Sequence, residues 1–186
     1  NSSELAERMQ RLRTHGITRD PDVMRKTPTG PWYYEQLELG YNYRLTDIHA
    51  ALGISQMKRL DEFVQRRNEL AARYDELLAE LPVQRPALID TARSSWHLYP
   101  VRVQTDKISR SHREVFESLR EQGIGVNLHY MPVHLQPYYR DLGFGEGQFP
   151  EAESYGKEAI SLPMFPMMSD GQQDTVVEAL GRALGG

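Results

Sequence analysis

The stretch His129-Tyr130-Met131-Pro132-Val133-His134-Leu135-Gln136-Pro137-Tyr138-Tyr139-Arg140 is the densest run of hydrogen-bonding side chains in the chain. It follows a strand-like run, and loops at strand ends are where α/β folds tend to carry function. His129 and His134 have metal-ligand chemistry, yet no further histidine stands at ligand spacing and the nearest carboxylate in sequence is Asp141, so no metal site is expected. Tyrosine, histidine and glutamine on a proline-stiffened backbone suit a neutral polar ligand such as a sugar. A half-buried loop whose polar groups satisfy one another fits the same residues. Asn42 and Arg44 flank Tyr43 directly before a helix start. An amide, a guanidinium and free helix-end N–H groups together can receive a phosphate. The competing reading has Asn42 shaping the turn after Gly40 and Arg44 paired with a carboxylate. Gly143, Gly145 and Gly147 follow no predicted strand and lack dinucleotide spacing, so they read as a flexible loop.

These residues need elements to hold them. A helix is predicted from about Ser3 to His15, opening on the capping run Asn1-Ser2-Ser3-Glu4 and stopping at Gly16. An upstream segment and a protein that simply begins with a helix are both compatible with that opening. A loop rich in proline leads to Trp32-Tyr33-Tyr34. Thr46 or Asp47 then caps a long helix with apolar residues at three- and four-residue spacing from Ile48 to Leu81, bent near Gly53 and ended by Pro82. Beyond Pro86 the pattern reads as a strand through Leu98, Val101 and Val103, a helix from about Ser109 to Gln122, and a second strand over Val126–Tyr130. A short helix around 152–159, the segment Ile160-Ser161-Leu162-Pro163 and a last helix from Asp170 complete it. The expected architecture is therefore α/β in class: a helical arm over residues 1–81, and a small α/β domain over 82–186.

The bulk numbers exclude several classes. A formal net charge of -4 argues against a nucleic-acid surface spread over the chain. No long uncharged apolar stretch is present, so no membrane span is expected, and no secretory leader pattern is visible. The absence of cysteine removes disulfides, thiolate zinc sites and a cysteine nucleophile together, which fits a cytoplasmic protein.

The run Gly40-Tyr41-Asn42-Tyr43-Arg44-Leu45-Thr46-Asp47-Ile48, continued by Ala50-Ala51-Leu52-Gly53 and Gln56-Met57-Lys58-Arg59-Leu60-Asp61, resembles a signature of the sugar aminotransferase family of fold-type I pyridoxal-phosphate enzymes. Leu12-Arg13-Thr14-His15-Gly16, Trp96-His97-Leu98-Tyr99-Pro100, Leu128-His129-Tyr130, Pro132-Val133-His134 and Ser161-Leu162-Pro163 extend the likeness over essentially the whole chain in order. Pro31-Trp32-Tyr33-Tyr34-Glu35 and Val133-His134-Leu135-Gln136-Pro137-Tyr138-Tyr139 further resemble the branch that makes pseudaminic acid precursors.

The resemblance implies the carboxy-terminal part of such an enzyme. Its cofactor would be pyridoxal 5'-phosphate and its reaction amino transfer from glutamate to the 4-keto carbon of a UDP-linked deoxysugar, in a homodimer with shared sites. It implies that Asn42 reaches the cofactor phosphate of the neighbouring subunit and that Arg44 supports the same site. His129 and Tyr130 would face the sugar nucleotide, with Tyr33, Tyr34 and His134 as weaker candidates. The departure is large: Lys26, Lys58, Lys107 and Lys157 are the only lysines, and none stands in the motif that carries the Schiff-base lysine. These residues alone are therefore expected to show no transaminase activity. A related sugar dehydratase, with histidine in the lysine's place, a different 4-keto sugar, and a non-catalytic binding piece all remain open at this level.

Overall fold

The computed structural model describes residues 1–89 and 91–185; Asp90 and Gly186, which the expected 82–186 domain includes, lie outside the described residues. Two compact units emerge, Asn1–Lys58 and Arg59–Gly186. The packing thus divides the chain at Lys58/Arg59, well before the boundary expected at Leu81.

In the first unit, helix α1 (Ser3–Arg13) begins where the Ser2 side chain accepts from the Leu5 N–H at 3.3 Å, and none of its residues is buried. Gly16, at φ +71°, turns the chain into strand β1 (Ile17–Thr18), which pairs antiparallel with β2 (Glu35–Gln36). Helix α2 (Asp47–Met57) follows, capped by Thr46 and with no buried residue. The single long helix expected here is broken. Arg59, at ψ 4°, leaves helical geometry, and α3 (Leu60–Leu77) begins anew. Neither glycine nor proline marks the break, and Gly53 sits inside α2 with open space where a Cβ would go.

The second unit is built on a three-stranded antiparallel sheet in the order β3 (Val83–Gln84), β4 (Tyr99–Val103), β5 (Ala159–Leu162). Strand β4 alternates buried and half-buried positions, whereas β5 is buried at every position. Helix α4 (His112–Glu121) starts with a capping box between Ser111 and Glu114, and α7 (Asp170–Leu184) with one between Ser169 and Gln172. Between them lie α5 (Pro137–Asp141), preceded by a 3-10 turn at Val133–Leu135, and α6 (Pro150–Glu158).

Leu70, Leu78, Tyr99, Val101, Val115, Leu119, Ile160 and Leu180 are fully buried in one core. Each such side chain contributes about 1.5–3 kcal/mol. Helix α3 belongs here because Tyr74 stacks on Tyr99 at 4.9 Å, and its hydroxyl donates to the Pro163 carbonyl at 2.9 Å. Gln173 of α7, itself buried, donates to the Leu70 carbonyl at 2.8 Å. Burial, and next the hydrogen bond to Asp75, drive the Tyr99 phenol pKa far up, so it stays a donor.

The strand expected over Val126–Tyr130 is reduced to a single bridge, Asn127 to Ser161. The Asn127 side-chain oxygen accepts from the Leu128 N–H at 2.9 Å, a local bond that competes with a ladder.

Candidate functional site

The segment 40–46 is laid against the end of α1 by its main chain. Tyr41 donates to the Leu12 carbonyl at 2.7 Å, His15 to the Tyr41 carbonyl at 2.8 Å, and Tyr43 to the Arg13 carbonyl at 3.0 Å. A Cβ on residue 40 would lie 2.2 Å from the Gly16 nitrogen, which is why glycine stands there. Tyr41 and Tyr43 stack at 4.8 Å, so they share a side, and strand alternation turns Asn42 to the other. Asn42 and Arg44 are exposed, and among the described residues neither side chain makes a hydrogen bond or ion pair. The turn is held by backbone rather than by the Asn42 amide, and Arg44 has no carboxylate partner there. Thr46 caps α2, accepting from the His49 N–H at 3.3 Å and meeting His49 Nδ1 at 2.8 Å. An amide and a guanidinium thus stand open to solvent just before a helix start, donors suited to a phosphate.

Tyr33 is placed differently. Its hydroxyl donates to Glu35 at 2.9 Å, and the same carboxylate accepts the N–H groups of Arg25 at 2.7 Å and Lys26 at 3.0 Å, closing the loop between them. The Arg25 N–H foremost holds the Glu35 carboxyl below its ordinary range, and Glu35 in turn raises the Tyr33 phenol. Tyr34 is half exposed beneath the Arg19 guanidinium, 6.0 Å from its ring.

In the second unit, His129 is fixed from three directions. Its Nδ1 lies 2.9 Å from Ser161 Oγ in β5, its Nε2 lies 3.4 Å from the Asn127 amide, and its carbonyl accepts from the Tyr155 hydroxyl of α6 at 3.1 Å. Tyr130 is exposed, its ring edge-on to His129 at 4.9 Å. Pro132 fits against Gly156, where a Cβ would come within 2.7 Å of the proline Cδ. The segment is a rigid platform presenting an imidazole and a phenol.

His134 is turned inward. It is 7% exposed, its Nε2 lies 2.9 Å from Glu153, and its ring packs 4.8 Å from Phe149. Glu153 also accepts the N–H groups of Gly147 at 2.8 Å and Phe149 at 3.5 Å, so this pair braces the loop that the three glycines open. His134 is the first cause of the lowered Glu153 carboxyl. With Tyr139, Phe144 and Ala152, His134 lines an apolar cavity of about 370 Å³. The carboxylate that meets His134 is therefore Glu153, not Asp141. Among the described residues no three His, Cys, Asp or Glu side chains converge as a metal site.

Asn42, Arg44, Tyr33 and Tyr34 fall in the first unit, and His129, Tyr130 and His134 in the second. Glu153, Tyr155 and Gly156 were invisible as partners, because a nine-residue helix carries no local mark of what it will touch.

The sequence pattern of the DegT/DnrJ/EryC1/StrS aminotransferase family matches residues 1–181. The chain is 38% identical over 183 residues to the spore coat polysaccharide biosynthesis protein SpsC of Bacillus subtilis, covering 97% of this chain and 47% of SpsC. The putative sugar aminotransferase Spr1654 of Streptococcus pneumoniae, in its PMP form, superposes with a TM-score of 0.85 at 30% identity, over 98% of this chain and 44% of that one. Helicobacter pylori PseC, an aminotransferase of pseudoaminic acid biosynthesis, superposes at 0.85 and 28% identity, over 99% and 47% respectively. The chain thus spans about half the length of the relatives it matches.

Proposed function

This chain belongs to the DegT/DnrJ/EryC1/StrS aminotransferase family, and from that membership we propose that the complete protein moves an amino group from glutamate to the C-4 keto group of a UDP-linked 4-keto-6-deoxy-N-acetylated hexose. The product assigned is the UDP-4-amino-4,6-dideoxy-N-acetyl-beta-L-altrosamine of pseudaminic acid biosynthesis. The observation that carries this reading is the end-to-end match to the family, joined to the pseudaminic-type runs at Pro31–Glu35 and Val133–Tyr139.

Bound pyridoxal 5'-phosphate would supply electron withdrawal from the carbon that exchanges its amino group. The residues present fit its phosphate: Asn42 and Arg44 are exposed donors on a pinned backbone. They do not supply its covalent attachment, since Lys26, Lys58, Lys107 and Lys157 are all exposed. We assign the Schiff-base lysine to the length that the relatives have beyond this chain. His129 and Tyr130 orient the sugar nucleotide, with Tyr34 a lesser contact; the side chains of Tyr33 and His134 act through the loops they brace. The apolar residues left exposed on α2 support a homodimer; sites shared between its subunits and a cytoplasmic location belong to the same proposal. No helix among the described residues is long and apolar enough to cross a membrane.

The complete protein, supplied with pyridoxal phosphate, glutamate and the 4-keto nucleotide sugar, is expected to release 2-oxoglutarate in proportion to the amino sugar formed. Release absent with every 4-keto nucleotide sugar tested would end the assignment. The 186-residue chain alone is expected to release none. Asn42→Ala in the complete protein should lose cofactor absorbance on dialysis; unchanged retention would remove Asn42 from the phosphate site.

A further inference from the structure

A second cavity, of about 460 Å³, opens in the Arg59–Gly186 unit beside the start of α3, with Arg59, Phe63, Arg67, Ser95, His97 and Met167 among its walls and no carboxylate lining it. Arg67 is held in an unusual way. Its Nη1 donates to three main-chain carbonyls, those of Trp96 at 2.8 Å, His97 at 3.2 Å and Met164 at 3.3 Å. Its Nε and Nη2 have no partner among the described residues, and no buried side-chain nitrogen there lacks one, so both reach solvent. A guanidinium anchored at one nitrogen keeps its remaining edge fixed, which lowers the entropy lost when that edge binds a planar oxyanion. Arg59 adds positive charge: its guanidinium lies 4.6 Å over the Phe63 ring and meets Glu62 only at 3.4 Å, with both groups largely in water.

We propose that this cavity binds a small organic carboxylate, received by the Nε–Nη2 edge of Arg67 and flanked by Arg59, Ser95 and His97. The apolar wall formed by Phe63 and Met167 takes the ligand's alkyl chain, which favours a carboxylic acid over inorganic phosphate. The assignment is independent of the transfer reaction and of the segments at Asn42 and His129.

The probe is glutarate, titrated into the isotope-labelled 186-residue chain while the Arg67 Nε–H resonance is followed at constant ionic strength. A saturable shift in the millimolar range is expected, with sodium chloride giving none. Arg67→Gln should abolish binding, but it also strips three carbonyls of their donor. Met167→Glu is therefore the decisive variant: residue 167 is 76% exposed, so the fold stays, while a carboxylate set in the wall repels the ligand. It should weaken glutarate several-fold with an unchanged thermal midpoint. No saturable shift, an equal shift in Met167→Glu, or a shift by phosphate but not by glutarate would each overturn the proposal.

Discussion

Gly156 sits in helix α6, where alanine would ordinarily stabilise by about 1 kcal/mol. Here the added Cβ would lie 2.7 Å from Pro132 Cδ and 2.9 Å from its Cγ, both atoms of a rigid ring. Overpacking of this kind costs about 1–3 kcal/mol, so Gly156→Ala is expected to destabilise, as read by urea denaturation. A stabilised variant would show that Pro132 does not press on α6. Tyr155→Phe removes the donor to the His129 carbonyl and should cost about 0.5–1.5 kcal/mol by the same measurement. Glu153 gives the residue scale its pH dependence. Its carboxyl ionises more readily in the folded chain, with His134 the first cause, so the unfolded chain holds more protons through the acid range. Its contribution is full above the ordinary carboxylate range and is lost as pH falls through the lowered folded value. Glu153→Gln should flatten that acid limb of the stability curve; an unchanged slope would mean that the pair adds nothing.

At the scale of elements, caps settle where helices begin. Ser111 accepts from the Glu114 N–H at 3.3 Å while Glu114 accepts back from the Ser111 N–H at 2.7 Å, and this box moves the start of α4 past Ser109, where periodicity alone would put it. Ser111→Ala should cost about 1 kcal/mol in chemical denaturation. An effect near zero would show that Glu114 alone holds the turn. The break between α2 and α3 has no such local mark. It falls where the two packing units divide, with Leu70, Ala71 and Tyr74 drawn into the second core while α2 buries nothing. Asn127 shows the reverse: one side-chain bond to its neighbour's N–H outweighs an apparently strand-like run.

Across the whole molecule, the apolar surface is unevenly assigned. Ile48, one turn before Leu52, is 82% exposed, Leu52 is 58% exposed and Leu39 90% exposed, whereas the core of the second unit is closed. In the proposed homodimer, these exposed apolar residues at helical spacing would form the association surface. The 186-residue chain is expected to self-associate in sedimentation experiments, and Ile48→Glu should shift it toward monomer and remove the concentration dependence of its denaturation midpoint. A monomer at all concentrations would remove α2 from the interface of the proposed homodimer.

Sequence by itself determined the first helix with its cap at Ser2, the helix start at Thr46, the last helix from Asp170, the strand through Val101 and Val103, the α/β class and the family likeness, because these rest on neighbours a few positions apart or on ordered motifs. The candidate segments were named from the sequence as well; the structure leaves Asn42 and Arg44 exposed and holds His129 against Ser161, while their roles remain part of the proposed function. What each histidine would touch was decided by tertiary structure. His129 meets Ser161 and Tyr155, 32 and 26 positions away, and His134 meets Glu153, 19 positions away. Such pairings depend on how α6 and β5 return across the sheet. The same closure turns one histidine toward β5 and buries the other in an apolar wall, though the two lie in one short polar run.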